Sequence, residues 1–351
     1  MSGETPTKID MTLLVCTFNR SDDLREMLQT ALVQKTGGEF AYEVLVVDNN
    51  SSDDTRGVVE ELIRRGHANL RYLFEGRQGK SHALNTGLSH VSGWAYTICD
   101  DDFLLPEDWL KKIFAAFHSH PEASFISGKV LPAWGATGTP PAWLTSRHWS
   151  AIAMTDYGDK EFYADANNQI CLLACSFRTG EVKAVGGYHS ELGVTKNQIG
   201  GTEDFEILQR LWKSGRKGIY LPHIWFHHKV TPDRLTKQYH RRWHTGHGRF
   251  YAAMRDEGFE RASARLFDVP AHMFKQAGKD ALLWLRSSLA RREDEAFWHE
   301  TRLRFFAGFL GKRREDYSTA NRQGGTTREV FSFLRSIANR KSARVSQKTV
   351  R

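Results

Sequence analysis

The sequence predicts an α/β protein with a doubly wound, mostly parallel sheet, followed by a helical C-terminal region. Strand-like apolar runs alternate with helical spacings over the first hundred residues, and this alternation is typical of parallel sheets. From about Leu235 onward the pattern becomes helical and basic. We therefore expect a sheet domain over residues 1–234, a basic, aromatic-rich helical region over 235–335 and a disordered tail over 336–351.

Four strands are predicted before residue 100. They are expected at 11–16, 42–47, 70–74 and 95–99. The helices between them are expected to begin at three positions: near Ser21, near Asp53 or Asp54, and at Ser81. Parallel sheets bind ligands beyond the carboxyl ends of their strands. Because Asn19, Asp48 and Asp100 follow such ends, we expect a binding site there.

The rest of the sheet domain has a less regular pattern. Further helices are expected at 107–118, 180–185 and 202–214. Further strands are expected at 124–131, 170–177, 218–221 and 223–227. Residues 132–147 are rich in Pro, Gly and Trp, which predicts a long loop.

Composition excludes several classes of protein. Of the 351 residues, 40% are apolar and 26% are charged, which excludes collagen-like, coiled-coil and wholly disordered chains. The four cysteines lie mostly in apolar runs and lack zinc-site spacing, so we expect buried thiols in a reducing compartment. We see no secretory leader and no apolar run of the ~20 residues that span a membrane, so we expect a cytoplasmic protein.

The net charge of +8 is unevenly distributed. Residues 1–228 carry a net charge of −6, and residues 229–351 carry +14. A basic segment of this kind is typical of contact with nucleic acid or a lipid surface, or of a solvated basic face. No zinc-finger, helix-turn-helix or aromatic RNA-binding motif is present, so we expect no nucleic acid partner. Apolar residues alternate with Lys and Arg over 262–316, which fits either a membrane-interface helix or helices packed on the core.

Three consecutive carboxylates, Asp100, Asp101 and Asp102, close the fourth predicted strand. Adjacent carboxylates repel one another, and a hard divalent cation such as Mg²⁺ or Mn²⁺ would offset that repulsion because it prefers oxygen ligands. A solvated acidic loop is the alternative. The triplet is therefore a candidate metal site.

Two further segments contain candidate chemical groups. Glu203 and Asp204 begin a predicted helix after two glycines and a threonine. Either could act as a general base, although acidic residues also favour the first turn of any helix. His227 and His228 end the last strand pattern. Adjacent strand residues face opposite sides, so only one of these histidines can point into a shared site.

Taken together, these motifs resemble the family 2 glycosyltransferases, whose fold is called GT-A. The matching segments are LLVCTFNR at 13–20, EVLVVDNNSSDDT at 43–55, GKSHALNTGL at 79–88, DDD at 100–102, GGY at 186–188 and GTEDFE at 201–206. They follow the order of that family over about residues 10–250. The resemblance implies a metal-dependent, inverting enzyme that moves a sugar from a nucleotide-sugar donor, first of all a UDP-sugar, to an acceptor hydroxyl.

The resemblance also implies roles for individual residues. It assigns donor binding to Thr17, Asn19, Arg20, Asp48, Arg77, Lys80, Asp100 and Asp101. Within that set, Asp48 would accept a hydrogen bond from the base, and Arg77 and Lys80 would meet the diphosphate. It assigns Mg²⁺ or Mn²⁺ to Asp102, Asp100 and one of His227 and His228. Asp204, with Glu203 as the alternative, would deprotonate the acceptor hydroxyl.

The implied role is the synthesis of a bacterial surface glycan or glycoconjugate at the inner face of the membrane. The acceptor would be a glycan or a lipid-linked sugar, and the basic C-terminal region would make a peripheral membrane contact. One alternative is a nucleotidyltransferase, which should have a Gly-rich loop where this chain has TFNR. Another is a GT-A-like protein that binds nucleotide without turnover, against which the intact Asp100, Asp102 and Asp204 argue.

Overall fold

The computed structural model describes residues 8–135, 138–261 and 264–320. The chain divides into two compact units. The sheet unit contains Met1–Pro141 and Trp149–Leu235, and the helical unit contains Ala142–His148 and Thr236–Arg351. The tail expected at 336–351 lies outside the described residues.

The segment Ala142–His148 differs from the sequence prediction, which places it in a loop of the first domain. Its aromatic side chains give the physical reason. The Trp143 ring centroid lies 5.0 Å from that of His240 and 4.8 Å from that of Phe297. His148 stacks on Phe297 at 5.4 Å and is fully buried. Aromatic packing therefore ties this segment to the helices that follow residue 235.

Nine strands of the described residues form one sheet in the sheet unit. They are β1 (Met11–Thr17), β2 (Tyr42–Asp48), β3 (Leu70–Phe74), β4 (Ala95–Asp100), β5 (Phe103–Leu104), β6 (Phe125–Ala133), β7 (Phe162–Ala164), β8 (Ser176–Arg178) and β9 (Gly218–Lys229). Their order is β3-β2-β1-β4-β8-β6-β9-β5, and β7 also pairs with β9. The longer ladders, β1 with β2 and β4, β2 with β3, and β6 with β9, are parallel. The predicted mostly parallel sheet is therefore confirmed.

Helices cover both faces of this sheet. Those of the sheet unit are α1 (Ser21–Ala31), α2 (Thr55–Arg64), α3 (Lys80–His90), α4 (Trp109–Ser119), α5 (Thr179–Ala184) and α6 (Glu203–Lys213), with a short 3-10 helix at Pro232–Leu235. A second 3-10 helix, Ser146–Ile152, contains residues of both units. Leu13 and Val15 of β1 pack with α1, α2 and α4, whereas Leu14 packs with α3 and α6. This alternation follows from the period of two in a strand. Each fully buried side chain of this kind contributes about 1.5–3 kcal/mol.

The strand expected at 170–177 is largely wrong. Only Ser176–Arg178 are paired, as β8, and residues 170–175 form no regular element. Ala174 has a φ of +47°, a left-handed conformation that breaks an extended strand. An apolar run was therefore mistaken for a longer strand.

The two strands expected at 218–221 and 223–227 are one strand, β9. Pro222 lies between them and has no N–H to give to a ladder. The register of β9 against β6 shifts between Ser127 and Lys129, opposite this proline, so the strand continues through a bulge.

The strand register brings the ends of several strands to one edge of the sheet. Thr17 lies opposite Asp48 across β1 and β2, and Cys16 lies opposite Asp100 across β1 and β4. The short strand β5 then pairs with the end of β9. The turn between β4 and β5 is therefore held beside β9, and residues from separate parts of the chain meet at this edge.

The helical unit is built on long helices. Its elements are α7 (Lys237–Met254), α8 (Glu257–Glu260), β10 (Arg265–Leu266), β11 (Val269–Pro270), α9 (Ala271–Leu289) and α10 (Glu293–Ala320). Thr236 caps α7 by accepting a backbone hydrogen bond from its first turn at 3.2 Å. Helices α7 and α10 approach closely at two glycines. A Cβ on Gly248 would lie 2.0 Å from the carbonyl oxygen of Phe305, and a Cβ on Gly308 would lie 1.9 Å from that of Thr245.

The core of the helical unit uses part of the apolar pattern at 262–316. Met273, Phe297 and Phe309 are buried there. Arg313 is fully buried and forms ion pairs with Glu260 and Asp268. Within the ranges described, no helix is both long enough and apolar enough to cross a bilayer.

Candidate functional site

A cavity of about 250 Å³ opens at the carboxyl ends of β1 and β4. The loops after β1, β2 and β4, the start of α3 and the loop before α6 line it. Its lining residues are Cys16, Thr17, Phe18, Arg20, Asn49, Gln78, Lys80, Ala83, Asp100, Asp101, Asp102, Val194, Thr195, Lys196 and Arg234. This is the edge of the sheet where the sequence predicts a binding site.

The carboxylate of Asp102 is buried among nitrogen-bearing side chains. Its Oδ2 accepts hydrogen bonds from Nη1 of Arg20 at 2.9 Å and from Nη2 of Arg234 at 3.1 Å. Its Oδ1 has no hydrogen-bond partner in the described part of the chain and lies 3.2 Å from Nε2 of His228. Burial would raise the pKa of Asp102, but His228, Arg234 and Arg20 together hold it below its usual value. Asp102 is therefore ionised at neutral pH.

Asp101 shares an arginine with Asp102. Its Oδ1 accepts a hydrogen bond from Nη1 of Arg20 at 2.7 Å, and its Oδ2 accepts one from the Thr17 hydroxyl at 2.8 Å. Burial raises the pKa of Asp101 above its usual value, Arg20 opposes that rise, and the charge of Asp102 adds to it. One guanidinium thus bridges two neighbouring carboxylates that would otherwise repel each other.

Lys80 is the first residue of α3, and its ammonium group lies among carboxylates. Its Nζ is 3.0 Å from Oδ1 of Asp100 and 3.6 Å from Oε1 of Glu203. Burial would lower the pKa of Lys80, but Asp100, Asp204 and Glu203 raise it well above its usual value. Lys80 is therefore a permanent positive charge that connects Asp100 with the start of α6.

Glu203 and Asp204 both begin α6 but differ in accessibility. Glu203 is 4% exposed, faces Lys80 through Oε1, and has no hydrogen-bond partner for Oε2 among the residues described. Asp204 is only half-buried. Burial raises the pKa of both carboxyl groups, and Lys80 opposes that rise. Asp204 is thus the more accessible of two carboxylates whose protons bind unusually tightly.

The two histidines at the end of β9 face opposite sides, as the period of a strand requires. Nδ1 of His228 donates to the carbonyl oxygen of Ile152 at 3.1 Å, since a carbonyl can only accept. Its Nε2 lies 2.8 Å from Nη1 of Arg234. The His227 ring instead packs on Trp225, at 5.3 Å between centroids. The structure therefore brings His228, and not His227, to Asp102.

Asn19 and Asp48 join loops rather than line the cavity. Asn19 has a φ of +52°, and its Oδ1 accepts a hydrogen bond from the N–H of Ser52 at 2.7 Å. Asp48 is buried, and its Oδ1 accepts from the N–H of Ser51 at 2.8 Å. Its Oδ2 accepts from the Tyr72 hydroxyl at 2.8 Å. Both oxygens of Asp48 thus already have protein donors.

Arg77 and Asp100, which were expected at the diphosphate and the metal, contact protein side chains instead. Arg77 is exposed, lies outside the cavity lining, and binds both carboxylate oxygens of Glu75, at 2.9 Å through Nε and 2.8 Å through Nη2. Asp100 lines the cavity, but its carboxylate contacts Lys80 rather than a second metal-ligand candidate. The predicted residues that the structure does bring together are Thr17, Arg20, Lys80, Asp100, Asp101, Asp102, Glu203 and His228.

A divalent metal can be tested against these atoms. In the described ranges, no group of three or more His, Cys, Asp or Glu side chains is arranged to hold a metal ion. The candidate pair is the buried Oδ1 of Asp102, which lacks a hydrogen bond in the described residues, and Nε2 of His228, which would have to give up its hydrogen bond from Arg234 to bind a cation. Enzymes often hold Mg²⁺ with one or two carboxylates and the phosphates of the substrate. The donor set therefore fits a cation that is bound together with a diphosphate.

Sequence analysis missed Arg234 and Asn49. Arg234 lies in the 3-10 helix that follows β9, and no motif marks it, although it contacts both Asp102 and His228. Asn49 is inside a segment that matches the family, but no role follows from its type. Its Oδ1 accepts from the N–H of Gly79 at 2.8 Å, which joins the loop after β2 to the start of α3.

Known proteins share both the sequence pattern and the fold. Residues 12–177 match the family profile described as Glycosyl transferase family 2. The chain is 22% identical over 232 residues to the glucosyl-dolichyl phosphate glucuronosyltransferase of Haloferax volcanii. The aligned region covers 63% of this chain and 69% of that relative. It is 34% identical over 95 residues to the GalNAc(5)-diNAcBac-PP-undecaprenol beta-1,3-glucosyltransferase of Campylobacter jejuni. That aligned region covers 26% of this chain and 29% of the relative.

A solved structure supports the same fold. A mannosyltransferase from Pyrobaculum calidifontis, in complex with GDP-Man and Mn²⁺, superposes with a TM-score of 0.52 at 18% identity. The superposition covers 95% of this chain and 84% of that chain. At this level of identity the likeness concerns the fold alone, and it confirms the predicted fold class. Because the Campylobacter relative is matched over only 29% of its length, its substrates do not carry over by similarity alone.

Proposed function

Residues 12–177 belong to glycosyl transferase family 2 and the chain is a glycosyltransferase with the GT-A fold, and from this premise we propose that it moves a sugar from a nucleotide-sugar to an acceptor hydroxyl with inversion. A UDP-sugar is the first candidate donor. The observation that carries the proposal is the convergence of Arg20, Lys80 and Arg234 with three consecutive aspartates around one cavity. Such a site can hold a diphosphate and a cation side by side.

The donor would bind through its phosphates. Arg20, Lys80 and Arg234 offer positive charge to the diphosphate, and the guanidinium groups can bind phosphate oxygens in pairs. Asp100 lies beside Lys80 at the cavity wall, where it can accept a hydrogen bond from the ribose. Arg77 and His227 have no part in this proposal, because Arg77 is paired with Glu75 and the His227 ring packs on Trp225.

Asp102 and His228 are the residues that would hold Mg²⁺ or Mn²⁺. When bound, such a cation stabilises the negative charge that develops on the leaving nucleoside diphosphate. Arg20 and Arg234 then keep Asp102 ionised and oriented through its Oδ2, which leaves Oδ1 available. Asp101 stays with Thr17 and fixes the turn from which Asp102 projects.

Asp204 is our candidate for the general base. It would take the proton from the acceptor hydroxyl as the oxygen attacks the anomeric carbon from the face opposite the diphosphate, and that geometry inverts the configuration. Glu203 suits this role less well because it is buried against Lys80. We assign Glu203 to positioning Lys80 at the donor.

The acceptor would be a lipid-linked sugar in the synthesis of a bacterial glycan or glycoconjugate. The names of the two curated relatives, one a dolichyl phosphate enzyme and the other an undecaprenol enzyme, support this class of acceptor. An acceptor of this kind lies at a membrane surface. The proposal therefore includes cytoplasmic action at the inner face of the membrane, with a peripheral contact through the C-terminal region.

The first experiment is a hydrolysis screen of nucleotide sugars with Mn²⁺ and with Mg²⁺. We expect one class of UDP-sugar to be hydrolysed slowly without acceptor. If nucleotide binds but no donor is turned over with any acceptor, the chain is a binding protein that retains the fold. If no nucleotide binds, the donor site itself is misassigned.

The second experiment separates the two carboxylates of α6. Asp204→Asn should lower turnover by at least about 100-fold, since a general base contributes typically 10²–10⁴, and should leave nucleotide affinity nearly unchanged. In the wild type, kcat/KM should rise with pH through the raised pKa of the base, and this limb should vanish in Asp204→Asn. Glu203→Gln should instead raise the donor KM, because it removes a partner of Lys80. If Asp204→Asn abolishes nucleotide binding and Glu203→Gln removes the pH limb, the two roles are exchanged.

A further inference from the structure

Helix α9 exposes an unusual amount of apolar surface. Of the eight large hydrophobic side chains that are exposed in the described part of the chain, four lie in the last two turns of this helix. They are Leu282 at 56% exposure, Trp284 at 40%, Leu285 at 49% and Leu289 at 77%. Exposed apolar residues are common singly, but a contiguous group marks a surface that is covered in use.

The geometry of α9 shows that these leucines point away from the core of the helical unit. Its buried residues, Met273, Asp280 and Ser287, are seven positions apart and so form one stripe. At about 100° per residue, Leu282, Leu285 and Leu289 lie roughly 140–200° around the helix axis from Asp280. The three leucines therefore form an apolar ridge on the side opposite the buried stripe. We call this the leucine ridge of α9.

Basic residues flank the leucine ridge. Lys275, Lys279 and Arg286 lie on the adjoining side of α9, are exposed, and have no carboxylate partner among the residues described. Several other cations of the helical unit do have such partners. The ion pairs are Arg241 with Glu300, Arg249 with Glu315, Arg302 with Asp280 and Lys312 with Asp316. Three exposed cations without a carboxylate partner among the residues described thus lie beside the exposed leucines.

We propose that the leucine ridge of α9 docks on an anionic lipid bilayer. The leucines would enter the boundary between headgroups and acyl chains. Lys275, Lys279 and Arg286 have long side chains that reach the lipid phosphates from the flank of the ridge. The inference rests on the proposed function in that a lipid-linked acceptor would be met at this surface.

The arrangement of charge and apolar surface favours a bilayer over a polyanion. Nucleic acid would be met by cations at the centre of the contact, whereas here the centre is apolar and the cations form one edge. A helix that lies in the plane of an anionic membrane needs this division into an apolar face and a basic flank. The apolar residues of 262–316 thus fall into two sets. Met273, Phe297 and Phe309 pack inside the helical unit, whereas the leucine ridge faces outward.

Vesicle sedimentation with the full chain tests the proposal. No donor is added, so the result does not depend on transfer activity. Vesicles of phosphatidylcholine with phosphatidylglycerol should pull the protein down, neutral phosphatidylcholine vesicles should do so poorly, and binding should weaken as salt rises. Leu285→Ser with Leu289→Ser should weaken the partition by at least about tenfold, because two side chains lose their transfer into the interface.

A matched control is available in the sheet unit. Val33 and Ile63 are 52% and 38% exposed, so Val33→Ser with Ile63→Ser removes exposed apolar surface away from the ridge and should leave vesicle binding unchanged. Lys279→Gln should weaken binding about fivefold, as one cation near an anionic surface contributes about 1 kcal/mol. This second kind of variant keeps the test decisive if the leucine variant folds poorly.

Three outcomes would overturn the proposal. The full chain could stay in the supernatant with anionic vesicles at low salt. The control and ridge variants could bind equally well. The ridge variant could change the molar mass in light scattering without changing vesicle binding, which would show that a second copy of the chain covers the ridge. Donor hydrolysis, measured on the same samples, reports separately on the proposed function.

Discussion

At the scale of single residues, the two oxygens of Asp102 stand in different surroundings. Oδ2 accepts from two guanidinium groups, whereas Oδ1 is buried beside His228 without a hydrogen bond in the described ranges. A buried polar atom without a partner normally costs about 1–3 kcal/mol. This cost is explained if Oδ1 binds a metal ion that enters the site only together with the substrate.

This reading predicts that Asp102→Asn lowers sugar transfer by at least about 100-fold, since a bound cation contributes several kcal/mol of charge stabilisation. EDTA should inhibit the wild type to a similar extent, and Mn²⁺ or Mg²⁺ should restore it. The measurement is transfer of labelled sugar at saturating donor. Asp108→Asn, at an exposed position that pairs with Lys112, is the control and should keep full activity. Full activity in EDTA after removal of carried-over metal would exclude the cation.

The sequence was sufficient to predict Asp102 but not Arg234. Three consecutive aspartates after an apolar strand are anomalous on charge grounds alone, and so they predict a site. Arg234 is one arginine among the many of a basic segment. Only the 3-10 turn after β9 brings it to Asp102, and a contact over 132 positions leaves no local pattern.

At the scale of elements, the packing of α7 against α10 depends on two glycines. Gly308→Ala would place a methyl group 1.9 Å from the carbonyl oxygen of Thr245. A backbone atom cannot rotate away, so the helices must separate. We predict that the free energy of unfolding falls by about 1–3 kcal/mol, the usual cost of overpacking. Urea denaturation followed by circular dichroism would measure it.

Gly278 provides the matched comparison, because it lies in α9 with nothing within 4 Å of the position that a Cβ would take. Gly278→Ala should raise the free energy of unfolding by about 0.5–1 kcal/mol through helix propensity. If the two alanine variants change the free energy of unfolding equally, α7 and α10 do not approach as closely at Gly308 as the structure shows.

The elements of the first hundred residues followed from the sequence because apolar runs and helical spacings alternate cleanly there. The pattern was weaker beyond that point. The run at 170–177 is apolar, yet Ala174 takes a left-handed conformation that no local signal announces. Two strands were predicted at 218–221 and 223–227, and the bulge between Ser127 and Lys129 instead allows one strand to continue past Pro222.

At the scale of the whole molecule, the donor should stabilise the sheet unit, where its cavity lies. A ligand at 100 times its Kd adds about 2.7 kcal/mol of stability to the state that binds it. We predict that UDP with Mn²⁺ slows amide hydrogen exchange in β1 and β4, measured by mass spectrometry of peptides. Equal protection in α7 and α10 would show that the two units unfold together, and no protection in β1 and β4 would contradict the donor site.

The division into two units was only partly readable from the sequence. The change in composition near residue 235 marks the start of the helical unit, because basic helical spacing replaces alternating strands. Composition did not predict that Ala142–His148 belongs to the helical unit. It depends on Trp143 and His148 packing against residues about a hundred positions or more away, and a segment rich in Pro and Gly gives no hint of such contacts.

The wall formed by Arg20, Arg234, Asp101 and Asp102 has two positive and two negative formal charges when both carboxyl groups are ionised. A dication alone must compete with the arginines for the carboxylates, and a diphosphate alone must compete with the carboxylates for the arginines. When both bind, the dication frees the arginines by taking over the carboxylates, and the diphosphate frees the carboxylates by taking over the arginines. The two ligands should therefore bind with positive heterotropic cooperativity, and thermodynamic reciprocity requires each to raise the affinity of the other by the same factor.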